Sequence, residues 1–571
     1  MSHKVGQRPT SLVNPINPVR YSSLRYERSS CLAPYGALVD NQPAMSTQTL
    51  PIHSAEVREI VSYDPGTGEE IGRAPLASAE DVRQAVARAR IAQPAWAKLS
   101  FRERGRIILK ARELMLAARD ELALLVSQET GKPIAEAVSM EIVPTLDTLH
   151  YFAHAAENLL RPQKIDIGQY GLMGRSSRLV FKPIGVIGII SPWNFPLATP
   201  ADEVVMALMA GNGVVLKPSE LTPLIALKIG EIFKRSGLPT GLLEVCTGDG
   251  LTGAALIEAR VDKIMFTGSV ATGKRVAEAA AKYLIPVVLE LGGKDSMIVL
   301  EDADIKNAAR GAVWGAFANS GQACASVERC YVQESIAAKF TELVVEETRA
   351  LKQGVGTDEA VDVGAMTNER QRAIVEEHVS DAVQRGATVL TGGRRGSNSE
   401  GLFYEPTVLT AVDHSMLIMR DETFGPVLPI MTFKTDEEAL RLANDSVFGL
   451  TASVWTKDIA RGRRLAERID AGTVMVNEVV YTHGIAQTPW GGVKDSGYGR
   501  THGRMGLLEL VNPTHVHVNR ISFLPDLWWF RYDASATRLF NGLAKNFTSG
   551  SLLKTSRMLP QMLRRFFGAR R

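Results

Sequence analysis

Four cysteines in 571 residues, none of them in a Cys-x-x-Cys pair, leave no material for a disulfide framework or a zinc site. They are Cys31, Cys246, Cys324 and Cys330, and their scarcity points to a reducing, cytoplasmic setting with no metal. Charge of one sign is also lacking: 65 Lys and Arg face 62 Asp and Glu, and a net charge of +3 excludes nucleic acid as the main partner. No apolar run reaches the roughly 18 residues that a membrane-crossing helix needs. The G-x-G-x-x-G dinucleotide fingerprint is missing, and so is any strict internal repeat.

The composition that remains, 45% hydrophobic and 22% charged, is that of a globular chain with a large core, long enough for roughly three domains. Residues 1–50 stand apart. They are rich in Arg, Ser and Pro, without the continuous apolar segment of a secretory signal, and are expected to be a disordered leader. Met45 opens a stretch that reads as an ordinary beginning, so translation is expected to start there; an organellar transit peptide is the alternative. Basic residues are concentrated at Arg20–Arg28 and again from Arg520 to Arg571.

Helical spacing begins at Ser78, a capping residue, with Val82, Ala85, Val86 and Ala89 on one face, and one long helix is expected over 101–129. A βα alternation follows. Apolar runs Val186–Ser191, Val214–Lys217, Leu243–Thr247, Lys263–Thr267 and Val287–Leu291 are separated by helical segments, the pattern of a parallel sheet covered on both faces. A second αβ series occupies 296–475, with helices near 305–319, 335–352, 368–385, 436–444 and 458–470. The fold class is α/β.

Ligands of such sheets bind at the carboxyl ends of the strands, and each of these strands ends in a distinctive loop. In SPWNFP, 191–196, the Asn194 amide could donate to a developing oxyanion, a service worth about 3 kcal/mol in acyl-transfer chemistry; a turn Asn bonded to its own backbone is the alternative. In LKPSE, 216–220, Lys217 and Glu220 suit ribose hydroxyls, although surface pairs of this kind are common. In FTGSVATG, 266–273, Gly268 and Ser269 lead into a helix expected at Thr272–Lys282, whose free N–H groups suit a phosphate; a tight helix entry explains the same residues. Glu290 in LELGGKD sits among apolar neighbours that raise a carboxyl pKa toward general-base use, or else it pairs with a buried cation.

ANSGQACASVERC, 318–330, places Cys324 in a loop rather than a packed stripe, with Ala323 and Ala325 beside it. A free thiol of pKa about 8.5 is a few per cent thiolate near pH 7, and that fraction is strongly nucleophilic. Cys246 and Cys330 lie in apolar runs and read as structural. In DETFGP, 421–426, the acidic Glu422 ahead of Phe424 could reach a second ribose.

PWNFP, KPSE, FTGS-x-x-x-G, LELGGK, GQ-x-C, E-x-FGP and PWGGVKDSGYGR occur in the order and spacing of the aldehyde dehydrogenase superfamily, with Glu290 and Cys324 34 residues apart. The resemblance covers about 57 to 515. It implies that Cys324 attacks an aldehyde carbon and that Asn194, with the Cys324 N–H, holds the oxyanion. Glu290 then activates the water that hydrolyses the thioester. It also implies that Trp193, Lys217, Glu220, Gly268, Ser269, Glu422 and Phe424 bind the cofactor. Glu220 favours NAD, with NADP open. The presence of Glu290 favours hydrolysis over transfer to coenzyme A.

The implied architecture is an aldehyde dehydrogenase-like fold. A Rossmann-like cofactor domain comes from 51–162 and 183–291, a catalytic domain from 292–485, and a small β bridging element from 163–182 and 486–518, in a homodimer or homotetramer. Residues 519–571 form a basic aromatic tail beyond the usual family end. There SLLKTSRMLPQMLRRFF is expected to make an amphipathic helix kinked at Pro560, set either against a membrane surface or against protein. Small residues near the site, Ala198, Thr199, Asp202, Ala323 and Ala325, together with the loop EVVYTHGIAQTPW, suggest a roomy channel for an apolar long-chain or isoprenoid aldehyde. Succinic semialdehyde is the rival substrate, and a catalytically silent membrane scaffold the rival of another class.

Overall fold

Ser78 opens the first helix as the sequence anticipates. Its hydroxyl accepts from the Asp81 N–H, and the Asp81 carboxylate accepts from the Ser78 N–H at 2.8 Å, so two otherwise unpaired donors are satisfied together. The helix Ala79–Ala97 buries Val82, Ala85, Val86 and Ala89. The computed structural model describes residues 59–568 apart from 398, 399, 524 and 525. The expected leader and the Met45 start lie outside the described residues.

The single helix expected over 101–129 is two, Phe101–Ala117 and Arg119–Thr130, separated by Ala118 at φ −95°, ψ 9°. Both parts pack on the helix Pro223–Arg235, while the first also packs on Val143–Leu159 and the second on the turn at 137–142. The break lets each reach its own second neighbour.

Five apolar runs form the parallel strands Val186–Ile190, Gly213–Lys217, Leu243–Val245, Lys263–Thr267 and Val287–Glu290. A short strand, Gly497–Tyr498, closes this six-stranded sheet by pairing antiparallel with Val287–Glu290. After Glu290 the chain crosses Gly292 and Gly293 and enters Asp295–Val299, an interior strand of a second, seven-stranded sheet. That sheet is parallel except for its edge strand Thr388–Thr391. The LELGGKD stretch is therefore the step between the two sheets.

Helices of the second series fall at Ile305–Phe317, Glu334–Ala350, Glu369–Gln384, Asp436–Asn444 and Ile459–Ala466. A three-stranded antiparallel sheet joins Gln163–Ile165, Arg175–Pro183 and Val511–Asn519.

The tail is folded. Helices Ala534–Asn546, Leu552–Ser556 and Leu559–Gly568 gather Leu527, Leu539, Leu543, Phe547, Met558 and Met562 into a small core against Met173. Pro560 does not kink a helix. It stands second in a new one, where its missing N–H costs nothing.

Asn212 ties three parts of the cofactor-side sheet together. Its Oδ1 accepts from the N–H groups of Ile184 and Gly185 at 2.8 and 3.0 Å, and its Nδ2 donates to the Leu510 carbonyl at 2.9 Å. Asn212→Ala strands these groups in the interior, each at about 1–3 kcal/mol. The expected result is a clearly lower melting temperature; an unchanged melt would contradict this role.

Candidate active site

Three consecutive residues with positive φ set the reactive loop: Asn319 at 53°, Ser320 at 55° and Gly321 at 71°. A Cβ on Gly321 would run into the Gly425 carbonyl, so only glycine passes there. Asn and Ser hold the other two positions because polar bonds fix them. The Asn319 side chain donates to the carbonyls of Asn194 and Gln322, both at 3.0 Å, and the Ser320 hydroxyl donates to the Gly364 carbonyl at 2.9 Å.

The helix expected to run to 319 stops at Phe317 for this reason, and Cys324 emerges just before the buried strand Val327–Gln333. Asn194 meets the same turn from the end of strand Val186–Ile190. Its amide nitrogen donates one hydrogen to the Gln322 carbonyl at 3.0 Å, which leaves the second for a ligand.

The Asn194 loop is held from below by a buried ion pair. Lys132 Nζ donates to Glu141 at 2.6 Å and to the Asn194 carbonyl at 2.8 Å, and it lies 4.2 Å from the centre of the Phe195 ring. The second Glu141 oxygen accepts from the N–H groups of Leu197 and Ala198. Sequence reading passes over Lys132 and Glu141; a Lys inside the Gly-Lys-Pro stretch 131–133, directly after a helix, was the available signal.

All ten residues singled out in the sequence line one cleft of about 1450 Å³: Trp193, Asn194, Lys217, Glu220, Gly268, Ser269, Glu290, Cys324, Glu422 and Phe424. Glu290 is buried, and burial pushes its carboxyl up to about 7, partly offset by the Trp490 indole N–H that donates to it at 3.1 Å. No buried cation neutralises it among the described residues.

The Cys324 thiol differs from the sequence expectation of a slightly ionised free cysteine. Enclosure at the cleft floor drives its pKa well above the ordinary value, and the carboxyls of Glu290, Asp295 and Glu422 add to the rise. The resting group is a thiol that needs a base. Of the other cysteines, Cys246 and Cys330 are buried, as read.

Behind Glu290 lies a small cavity of about 10 Å³, room for one water, lined by Glu203, Thr267, His483, Trp490 and His502 among others. Glu203 is held neutral by burial and by the charges of Glu290 and Asp202. Asp202, expected in the substrate channel, turns instead into the helix packing and pairs with His502 at 3.2 Å. Ala198 does likewise and is fully buried, whereas Thr199, Ala323 and Ala325 do line the cleft.

The residues expected to hold the cofactor sit on three strand-end loops and one turn. Lys217 is buried, which lowers its pKa, and its amine stands 3.5 Å from the half-exposed Glu220 carboxylate. Ser269 caps the helix Val270–Ala281 by accepting from the Thr272 N–H, so the helix starts two residues earlier than expected. A Cβ on Gly268 would press against the Phe266 ring, which keeps the backbone open to a close ligand.

Glu422 accepts from the Gly293 N–H at 3.0 Å, and burial raises its pKa to about 8. Its turn is fastened by Glu328, which accepts from the N–H groups of Thr423 and Phe424 at 2.8 Å and pairs with Lys294 at 2.5 Å. The Trp193 ring stands edge-on to Phe424 at 5.5 Å, so its contact is with this turn. A ribose-suited Lys–Glu pair, an open glycine before a helix N-terminus and an acidic turn together fit a nicotinamide dinucleotide.

Fold and cleft define an α/β dehydrogenase with a cysteine nucleophile. The chain belongs to the aldehyde dehydrogenase family, whose model matches residues 52–516. It is 40% identical over 509 residues to a 4,4'-diapolycopene aldehyde oxidase of Methylomonas sp, covering 89% of this chain and 95% of that protein. It is equally 40% identical to a relative from Mycobacterium ulcerans named for NADP(+) succinate-semialdehyde dehydrogenase, over 81% of this chain and 90% of that protein. Among solved structures, an NAD-dependent aldehyde dehydrogenase from Sinorhizobium meliloti superposes with a TM-score of 0.79 at 40% identity, covering 83% of this chain and 94% of that one.

Trp490→Phe removes the one N–H that stabilises the Glu290 carboxylate. Its midpoint should then move further up, by about one pH unit for a charge-assisted bond of about 1.5 kcal/mol. The acid limb of the activity profile is expected to shift to higher pH. An unmoved limb in a protein that melts normally would contradict the assignment.

Proposed function

We propose that this aldehyde dehydrogenase oxidises an apolar aldehyde, long-chain or isoprenoid, to its carboxylic acid, with NAD preferred over NADP. The observation that carries the substrate class is the apolar part of the lining of the cleft that holds Cys324. Met140, Val143, Pro144, Trp314, Val480 and Tyr481 contribute to it, and Asp147 is in the lining as well. Val143, Trp314 and Tyr481 expose 56%, 40% and 61% of their surface, an apolar mouth where a polar substrate would want polar groups.

The cationic side chains lining the cleft are Lys217, Arg275 and Arg370. The first two belong to the Glu220 and Ser269 loops. Arg370 opens the helix whose Gln371 bonds the Thr423 carbonyl at 2.8 Å, on the Glu422 side. A succinic semialdehyde carboxylate would thus find cations only on the loops of Glu220 and Ser269 and on the helix beside the Glu422 turn, with Asp147 also in the lining. The match to the diapolycopene enzyme also reaches beyond residues 52–516, which alone are about as much of the chain as the succinate-semialdehyde relative covers.

The residues act in sequence. Glu290 takes the thiol proton, and Cys324 Sγ bonds to the aldehyde carbon. The free Asn194 N–H and the Cys324 backbone N–H hold the resulting oxyanion. A nicotinamide dinucleotide held by Lys217, Glu220, Ser269 and Glu422 would accept the hydride that leaves this carbon, and Cys324 would then carry a thioester. Glu290, relieved of its proton, draws one from water as that oxygen attacks the thioester carbon. The C–S bond breaks, the acid leaves and Cys324 regains its hydrogen. The one-water cavity behind Glu290, beside a Glu203 that already holds its own proton, offers room for a water to carry a displaced proton.

Glu220 accepts from a free 2′-hydroxyl and repels a 2′-phosphate, which supports NAD. In the same proposal 51–162 and 183–291 bind the cofactor, 292–485 carry the thiol, and the sheet built from 163–182 and 486–518 joins subunits into a dimer or tetramer. The protein works in the cytoplasm, where its thiol stays reduced. Peripheral contact with a membrane surface through residues 519–571 belongs to this reading, since a long apolar aldehyde resides in bilayers.

Cys324→Ala should abolish NADH formation, measured by absorbance. Glu290→Gln should slow the first burst of NADH, because the thiol proton loses its acceptor, and lower steady turnover further still, by about 10²–10⁴-fold, with loss of its rise through a pH of about 7. Equal loss of burst and turnover would place Glu290 only before the hydride step. On an aldehyde panel, kcat/KM should rise with apolar chain length and be at least tenfold lower for succinic semialdehyde, about 1.4 kcal/mol of discrimination. The reverse order would overturn the substrate class.

A further inference from the structure

From Arg520 onward the chain carries ten Lys and Arg against two acidic residues, Asp526 and Asp533. Both acids are used internally. Asp526 pairs with Arg175, and Asp533 caps the helix Ala534–Asn546 by accepting from the Ala536 N–H at 2.8 Å. The basic side chains are left in solvent. Arg531, Arg538, Lys545, Lys554, Arg557 and Arg564 are all exposed, and none forms an ion pair among the described residues.

The last helix, Leu559–Gly568, has two apolar stripes where a helix packed on one side needs one. Met562 is buried and Phe566 packs against the same small core. Leu559, Leu563 and Phe567 recur every four residues and are 52%, 43% and 61% exposed. Along the other flank of the helix, on its Arg565 side, runs an aromatic turn. The Arg565 guanidinium donates to the carbonyls of Trp529 and Arg531, both at 2.8 Å, fastening the turn alongside the helix. Leu527 anchors it in the core, while Trp529, Phe530 and Tyr532 stand 62%, 84% and 57% exposed.

We propose that this face is a docking surface for an anionic phospholipid bilayer, with the Leu559–Leu563–Phe567 stripe and the Trp529–Phe530 turn entering the headgroup boundary and the basic rim meeting lipid phosphates. Trp, Tyr and Phe favour that boundary, and Lys and Arg around an apolar stripe are attracted to anionic lipid. A second copy of this chain fits poorly, because two such faces would bring like charges together. The inference deepens the membrane contact proposed above by naming the face and the lipid, and it stands apart from the catalytic reading.

The test is co-sedimentation of the full chain with vesicles of phosphatidylcholine alone and of phosphatidylcholine with phosphatidylglycerol. Wild type should sediment with the anionic vesicles, weakly with the neutral ones, and less as salt rises. Trp529→Ser/Phe530→Ser and Leu563→Ser/Phe567→Ser, which alter exposed positions, should each weaken binding about tenfold while NADH formation from soluble hexanal stays unchanged. Equal and weak sedimentation with both vesicles overturns the proposal. So does binding that the variants leave intact, or a self-association that the variants dissolve in the absence of lipid binding. Should wild type fail with every aldehyde yet bind vesicles, the catalytic reading falls and the docking surface stands.

Discussion

The backbone turn through Asn319, Ser320 and Gly321 is the constraint on which the site depends. Three left-handed residues in a row are costly for an L-chain. They persist because Asn319 bonds the Asn194 and Gln322 carbonyls and because its own N–H donates to Glu136 at 2.8 Å. The same bonds lock the Cys324 loop to the Asn194 loop, which come from different sheets. The loops that carry the thiol and the amide are thereby held in one fixed arrangement.

Electrostatics then decides what the thiol is. Glu290, Asp295 and Glu422 surround it, and burial lifts all three carboxyls, to about 7, 8 and 8. Burial first, and these carboxyls second, raise the Cys324 pKa and favour the thiol over the thiolate. Glu290 is the member whose pKa lies nearest neutrality and whose side chain is bonded, among the described residues, to an indole N–H alone, which suits the proton exchange proposed for it. Raised carboxyl pKa values also couple the site to stability. Their contribution to folding is complete below the ordinary carboxylate range and is lost as pH rises through about 7 to 8.

Much of this was legible in the sequence because buried parallel strands leave plain apolar runs. All five strands of the first sheet could be placed from Val186 to Leu291, and the loops at their ends were the ones that line the cleft. What stayed hidden depends on distant partners. Nothing local marks Gly497–Tyr498 as a sixth strand, since only the edge of Val287–Glu290 makes it one. Asp202 reads as a channel residue until His502, 300 positions away, is seen to take its carboxylate. Lys132 and Glu141 escaped notice for the same reason. The break at Ala118 and the new helix at Leu559 were misread because helical spacing reports a face but not which neighbour buries it.

The central claim is that the Cys324 sulfur bonds covalently to the substrate's carbonyl carbon. Mass spectrometry of Glu290→Gln, quenched after mixing with an apolar aldehyde and NAD and then digested, tests it most directly. The account predicts the mass of the acyl group on the peptide bearing Cys324, labile to hydroxylamine as a thioester is. An unmodified Cys324, or an acyl group found on Cys246 or Cys330 instead, would contradict it.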